Sequence, residues 1–178
     1  MYEKGVEELR EALIDLERAK NQEARARLES EVLLDGLRIL ALSDEPEEIL
    51  AEIFELLRRV VGFEEGVVLR CQGSGELCPV ASTSADLQQL VWKPAGLTRR
   101  VLQGRPVAVF DVAAIAEWRA QPEAIRERIG SALHLSLQAG SSPAIMVLTH
   151  REQGFFAPHH VRLASRFSTL ATEALRKS

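Results

Sequence analysis

The chain has 178 residues but only two cysteines, Cys71 and Cys78, too few for the disulfide framework of a small secreted domain. No apolar h-region of a secretory leader follows Met1, and no apolar run approaches the ~20 residues of a membrane span. A soluble, cytoplasmic protein without membrane contact is expected. The formal net charge is -4 and there is no arginine-rich tail, so nothing points to nucleic acid as a partner. Internal repeats and low-complexity tracts are absent. So are a nucleophile elbow, a phosphate loop and an HExxH helix, which leaves no catalytic motif and no enzyme expectation. Metal ligation is equally poorly supplied. His159 and His160 are adjacent on a helix and point about 100° apart, and His134 and His150, which paired strands could bring together, lack an acidic or thiolate companion at ligand spacing.

What is present is a hydrophobic fraction of 46%, enough for a real core in one domain with an added helical segment. Residues 2–42 contain no proline and only Gly5 and Gly36, which predicts one long helix. Tyr2, Val6, Leu9, Leu13 and Leu16 recur at spacings of 4, 3, 4 and 3, the seam of a left-handed coiled coil. Continuing that register meets Lys20, Glu23 and Arg27, and an apolar stripe returns with Leu28, Val32, Leu33, Leu37 and Leu40. Such a helix either packs on its own domain or forms a parallel dimer stalk, and the seam favours the dimer, with Val6, Leu9, Leu13 and Leu16 at its centre.

Asp44 is placed as an N-cap and Glu47 as its capping-box partner for a second helix ending near Val61, with Ile49, Ile53, Phe54, Leu57 and Val60 on one face. The stretch GVVLRCQGSGELCPVAST reads as a hairpin in which Val67, Leu69 and Cys71 share a face; such a hairpin allows Cys71 and Cys78 to lie close across the strands, but small hydrophobes rather than a redox pair are the favoured reading of the two cysteines. Residues 84–94 carry Leu87, Leu90, Val91 and Trp92 without a clear period. A short helix over 96–103, a strand over 106–111 and two short helices over 112–129, joined at Gln121-Pro122, follow. The last two would lie over the sheet as a lid.

Two alternating strands then run from Gly130, joined by a Gly140-Ser-Ser-Pro143 turn. Leu133, Leu135 and Leu137 fall on one face of the first strand, and Ala132, His134 and Ser136 on the other. A last helix from Pro158 to Lys177 aligns Leu163, Phe167, Leu170 and Ala174, and carries no stop signal at Ser178, so a longer protein is expected. The sum is an α+β domain: a central five- or six-stranded, largely antiparallel sheet with N- and C-terminal helices on one face and the lid on the other.

The order DEPEEIL helix, GVVLR strand, PVAVFD strand, IGSALHLSL and AIMVLTHR strands, and Phe155-x3-His-His helix start resembles the GAF family from about Asp35 to Arg176. The resemblance divides the chain into a coiled-coil helix, 1–42, and a GAF-like domain, 43–178. It implies a small-molecule pocket beneath the lid and a sensory role. It also implies an output domain outside this chain, such as a histidine kinase or a diguanylate cyclase of two-component or cyclic-di-GMP signalling. The pocket residues it implies are Phe110, Asp111, Trp118, Ala132, His134 and Ser136, with simple core filling as the other reading of Trp118 and a helix cap as that of Asp111.

Cyclic-nucleotide binders of the family often carry Asn-Lys and then Phe-x3-Asp-Glu, where this chain has His159 and His160. Bilin binders commonly carry a lid cysteine, and 112–129 has none. Haem would need an axial histidine, for which only His134 is placed. No cofactor is therefore assigned. A ligand-free dimerisation module is the alternative, followed by the family's reductase of free methionine sulfoxide, for which Cys71 and Cys78 would have to act together.

Overall fold

The computed structural model describes residues 2–139 and 142–177, with the side chains of 2–4 and 139 outside it. The expected turn at Gly140-Ser141 and the seam side chain of Tyr2 therefore lie outside the described residues. The proline-free N-terminal segment is one helix, α1 (Tyr2–Leu42). Helix α2 (Pro46–Val61) follows after three residues. Pro46 takes the first helical position, where its fixed φ and missing N–H cost nothing, and this moves the N-cap to Glu45. The Asp44/Glu47 capping box does not form. Asp44 instead accepts from Lys177 Nζ at 3.2 Å.

Strands β1 (Glu65–Cys71) and β2 (Leu77–Ser82) make the first hairpin. After it come α3 (Gly96–Leu102), β3 (Val107–Val109), the lid helices α4 (Ala116–Arg119) and α5 (Glu123–Arg126), the long strands β4 (Ser131–Ala139) and β5 (Ser142–His150), and α6 (Pro158–Arg176). The five strands form one antiparallel sheet in the order β2-β1-β5-β4-β3.

Strand alternation divides the core into two layers. Leu133, Leu135 and Leu137 of β4 and Ala144, Met146 and Leu148 of β5 face the helices α2 and α6. Ala132, Ile145 and Val147 face the opposite side, together with Val67 and Leu69. α6 buries Leu163, Phe167, Leu170 and Ala174 at the predicted spacing, each large side chain contributing about 1.5–3 kcal/mol of burial. The C-terminal part of α1 joins this layer through buried Val32 and half-buried Leu33, Ile39 and Leu40, whereas residues 5–28 lie exposed. Lys177 Nζ donates to the carbonyls of Leu40 (2.6 Å) and Ser43 (2.7 Å), so a cation satisfies the open end of α1 and ties it to the end of α6. No described helix is long and apolar enough to cross a membrane.

Candidate ligand site on the lid face

The lid face is floored by β4 and β5 and roofed by the segment from 112 to 129. At its centre His134, wholly buried, lies between two indoles: Trp92 and Trp118 meet edge-on at 4.9 Å, and each ring centre is 5.8 Å from the imidazole. Trp92 reaches this place because its backbone bridges to Leu77, exchanging hydrogen bonds of 2.8 and 2.9 Å that extend the sheet edge beyond β2. Trp118 arrives from α4. The indole Nε1 of each tryptophan and both ring nitrogens of His134 are buried without a hydrogen-bond partner of acceptable geometry. Burial lowers the His134 pKa from 6.5 to about 4, opposed only in part by the backbone of Val107, so the imidazole is neutral at pH 7.

The lid is latched at both ends. Glu117 Oε1 accepts from the backbone N–H of Leu97 (2.8 Å) and Thr98 (3.1 Å) at the start of α3, where Ala95 offers no capping side chain. Gln121 Nε2 donates back to the Glu117 carbonyl. At the other end Arg128 pairs with Glu65 of β1 (3.2 Å) and Asp86 (2.8 Å). Two open grooves flank Glu117. One, of about 460 Å³, is lined by Trp92, Lys93, Ala95 and Gln121 and leads towards the indole pair. The other, of about 630 Å³, lies along β3 beside Arg100, Phe110 and Asp111.

Of the residues the sequence proposes for this site, Trp118, Ala132 and His134 are buried on the lid face, and Ser136 is half-buried on the same strand opposite Ile145. Phe110 is 70% exposed and turns out over the loop after β5, its ring against Gly154 and its carbonyl accepting from the Gly154 N–H at 2.8 Å. Asp111 accepts from the Ala113 N–H at 2.9 Å and so caps the turn opening the lid. These two lie on the outer groove, apart from the buried cluster. Trp92, Glu117 and Gln121 were missed. Trp92 lies in the stretch 84–94, which has no clear period, and the one signal for it is that it is one of the chain's two tryptophans.

The remaining chemistry is dispersed. Register places Cys71 opposite Leu77 and Cys78 opposite Arg70, so the two thiols project from opposite faces of the sheet, not towards each other as the hairpin allowed. His134 pairs with Val147, and His150 with Ser131, which separates those histidines. His150 stacks instead on Phe155, with ring centres 3.7 Å apart, and His160 stacks on the same ring at 5.1 Å. His160 Nδ1 accepts from the Ala157 N–H at the start of α6, and burial, then the neighbouring His159, lowers its pKa. Among the described residues no three His, Cys, Asp or Glu side chains are grouped to hold a metal.

Solved structures share this architecture. The GAF domain of a phosphoenolpyruvate-protein phosphotransferase from Coxiella burnetii is 17% identical, with a TM-score of 0.70 over 83% of this chain and 93% of that one. A free methionine-R-sulfoxide reductase from Neisseria meningitidis, solved with its substrate, is 16% identical, with a TM-score of 0.70 over 86% and 91%. Residues 122 to 287 of a methyl-accepting chemotaxis protein are 21% identical, with a TM-score of 0.62 over 81% and 95%. No curated protein matches the sequence. The GAF-domain family model matches residues 43–176, which takes in every element from α2 to α6, and the chain belongs to the GAF family.

Proposed function

We propose that this chain is a non-catalytic sensory module of the cytoplasm that binds a small molecule on the lid face. It would act as a homodimer through its helices and relay occupancy to an output domain outside this chain, such as a histidine kinase or a diguanylate cyclase. The observation that carries the ligand is the Trp92–Trp118–His134 cluster. Each buried polar group without a partner costs about 1–3 kcal/mol, and both indole N–H groups and at least one ring nitrogen of His134 lack one within a single aromatic cluster. A molecule presenting hydrogen-bond acceptors to the indole N–H groups and a complementary polar edge to neutral His134 would recover that cost. Its entry path is the groove beside Lys93, with Glu117 as the latch that must shift. The tie from Lys177 to the end of α1 supports the relay, because α6 packs on β4, which forms the floor of the site. The opposite-facing cysteines support a non-catalytic reading, since a thiolate and its resolving thiol need to meet.

Native mass spectrometry of the freshly purified chain, and thermal shift against nucleotides and metabolites, test the ligand. A bound small molecule or a raised melting temperature, lost in the Trp118→Phe variant, is the expected result. The full burial of Trp92, Trp118 and His134 favours one other reading, a ligand-free module whose cavity its own side chains fill. No bound species and no shift across the panel would establish that reading instead.

The dimer has its own test. Val6, Leu9, Leu13 and Leu16 are 65%, 63%, 55% and 52% exposed, an apolar stripe that supports the dimer because a second helix would cover it. Leu9→Glu with Leu13→Glu is expected to turn a dimer into a monomer in sedimentation, since it sets carboxylates in the seam. An unchanged dimer would show that another contact holds it.

A further inference from the structure

Burial along α1 separates two stripes that the sequence blends. Val32, Leu33, Ile39 and Leu40 face α2 and α6, whereas Leu34 and Leu37 are 56% and 54% exposed and Ala41 is exposed. These three resume the N-terminal heptad without a break. Val6, Leu13, Lys20, Arg27, Leu34 and Ala41 occupy one core position of the repeat, and Leu9, Leu16, Glu23, Ser30 and Leu37 the other. One seam therefore runs the length of the helix on the side away from the domain, apolar at both ends and charged in the middle.

The charges decide how a second copy lies on it. In a parallel, in-register pair each core residue faces itself, so Lys20, Glu23 and Arg27 make three successive layers of like charge. Run antiparallel about a two-fold axis between Asn21 and Gln22, Lys20 faces Glu23 of the other copy, and Glu23 faces Lys20. The same register sets Val6 against Leu37, Leu9 against Leu34, and Arg10 beside Glu31. Ala12, Ala19 and Ala26 lie along one flank, small enough for close approach. Every charged residue named is exposed, and the existing Arg27–Glu31 pair at 3.1 Å is a surface contact that can be shared.

We infer that α1 pairs antiparallel with α1 of a second copy, with Lys20 and Glu23 as the reciprocal central contacts and the two GAF domains at opposite ends. The inference rests on the dimer proposed above and replaces the parallel stalk expected from the N-terminal seam alone.

Nitroxide labels at Glu8→Cys in a Cys71→Ser/Cys78→Ser background measure the orientation. Residue 8 lies level with residue 35 of the other copy in the antiparallel pair, so the labels stand about 40 Å apart along the axis at 1.5 Å per residue. A parallel pair holds them about 20 Å apart. In the full chain with its cysteines, Lys20→Glu should weaken dimerisation about tenfold, by setting two carboxylate pairs face to face, and adding Glu23→Lys should restore it. A distance near 40 Å with that loss and rescue supports the inference. A distance near 20 Å overturns the orientation while leaving the dimer standing, an indifferent Lys20→Glu overturns the register, and a monomer in sedimentation of the unaltered chain overturns the dimer itself.

Discussion

Alanine at Gly130 is expected to cost the fold about 3 kcal/mol and to lower its melting temperature by roughly 10 °C. Gly130 joins the end of the lid to β4, donating its N–H to the His150 carbonyl at 2.9 Å and accepting from the Val112 N–H at 3.1 Å. A methyl group there would stand 2.1 Å from the Arg151 carbonyl oxygen and 2.9 Å from the Gln153 nitrogen, both main-chain atoms. Neither can turn aside as a side chain would. The facing loop is itself fixed: Ser131 Oγ donates to the Glu152 carbonyl at 2.6 Å, the Arg151 N–H donates to Glu64 at 2.9 Å, and the Gly154 N–H donates to Phe110. Relief would have to break the β4–β5 ladder or this loop, so the strain is paid globally. Urea unfolding should show a lower midpoint with an unchanged slope. A midpoint equal to that of the unaltered chain would mean that the loop gives way, and that the lid junction is softer than its hydrogen bonds imply.

The layers were legible in the sequence because each rests on one period. The leucine face of β4 and the stripe of α6 follow from alternation and from 3.6-residue spacing, and both are core. The lid helices were readable from Pro122. What escaped was anything set by pairing across distance. The hairpin allowed Cys71 and Cys78 to lie close, but the pairing of Cys71 with Leu77 is offset by one residue, and one residue reverses the face. Trp92 lies in a stretch without periodicity, and only its bridge to Leu77 carries it under the lid. Phe110 follows the strand pattern of 106–111, yet β3 stops at Val109, and the next side chain is free to turn outward over Gly154. Leu37 was assigned to the same stripe as Val32 and Leu40, and only packing against α6 shows that it belongs to the outer seam.

Acid should weaken the fold through His134, and the sign follows from where its proton is bound. In the unfolded chain the imidazole takes a proton near pH 6.5, whereas in the folded protein burial delays this to about pH 4. Between those values the unfolded state holds more protons, so stability rises with pH across that window and is fully present above it. The difference in pKa is worth about 3 kcal/mol at 1.36 kcal/mol per unit, lost progressively as pH falls from 6.5 to 4. Glu64 and His160 also have lowered pKa values and add loss in acid, so the contribution of His134 is read as a difference between proteins. His134→Leu, which sets an apolar side chain between the same indoles, should unfold with a flatter dependence between pH 4.5 and 7. Parallel profiles for the two proteins would show that the folded imidazole titrates normally and is reached by water. The same comparison bears on the ligand: an anionic acceptor bound at His134 would favour the imidazolium and raise the folded pKa, flattening the profile of the unaltered chain but not that of the leucine variant.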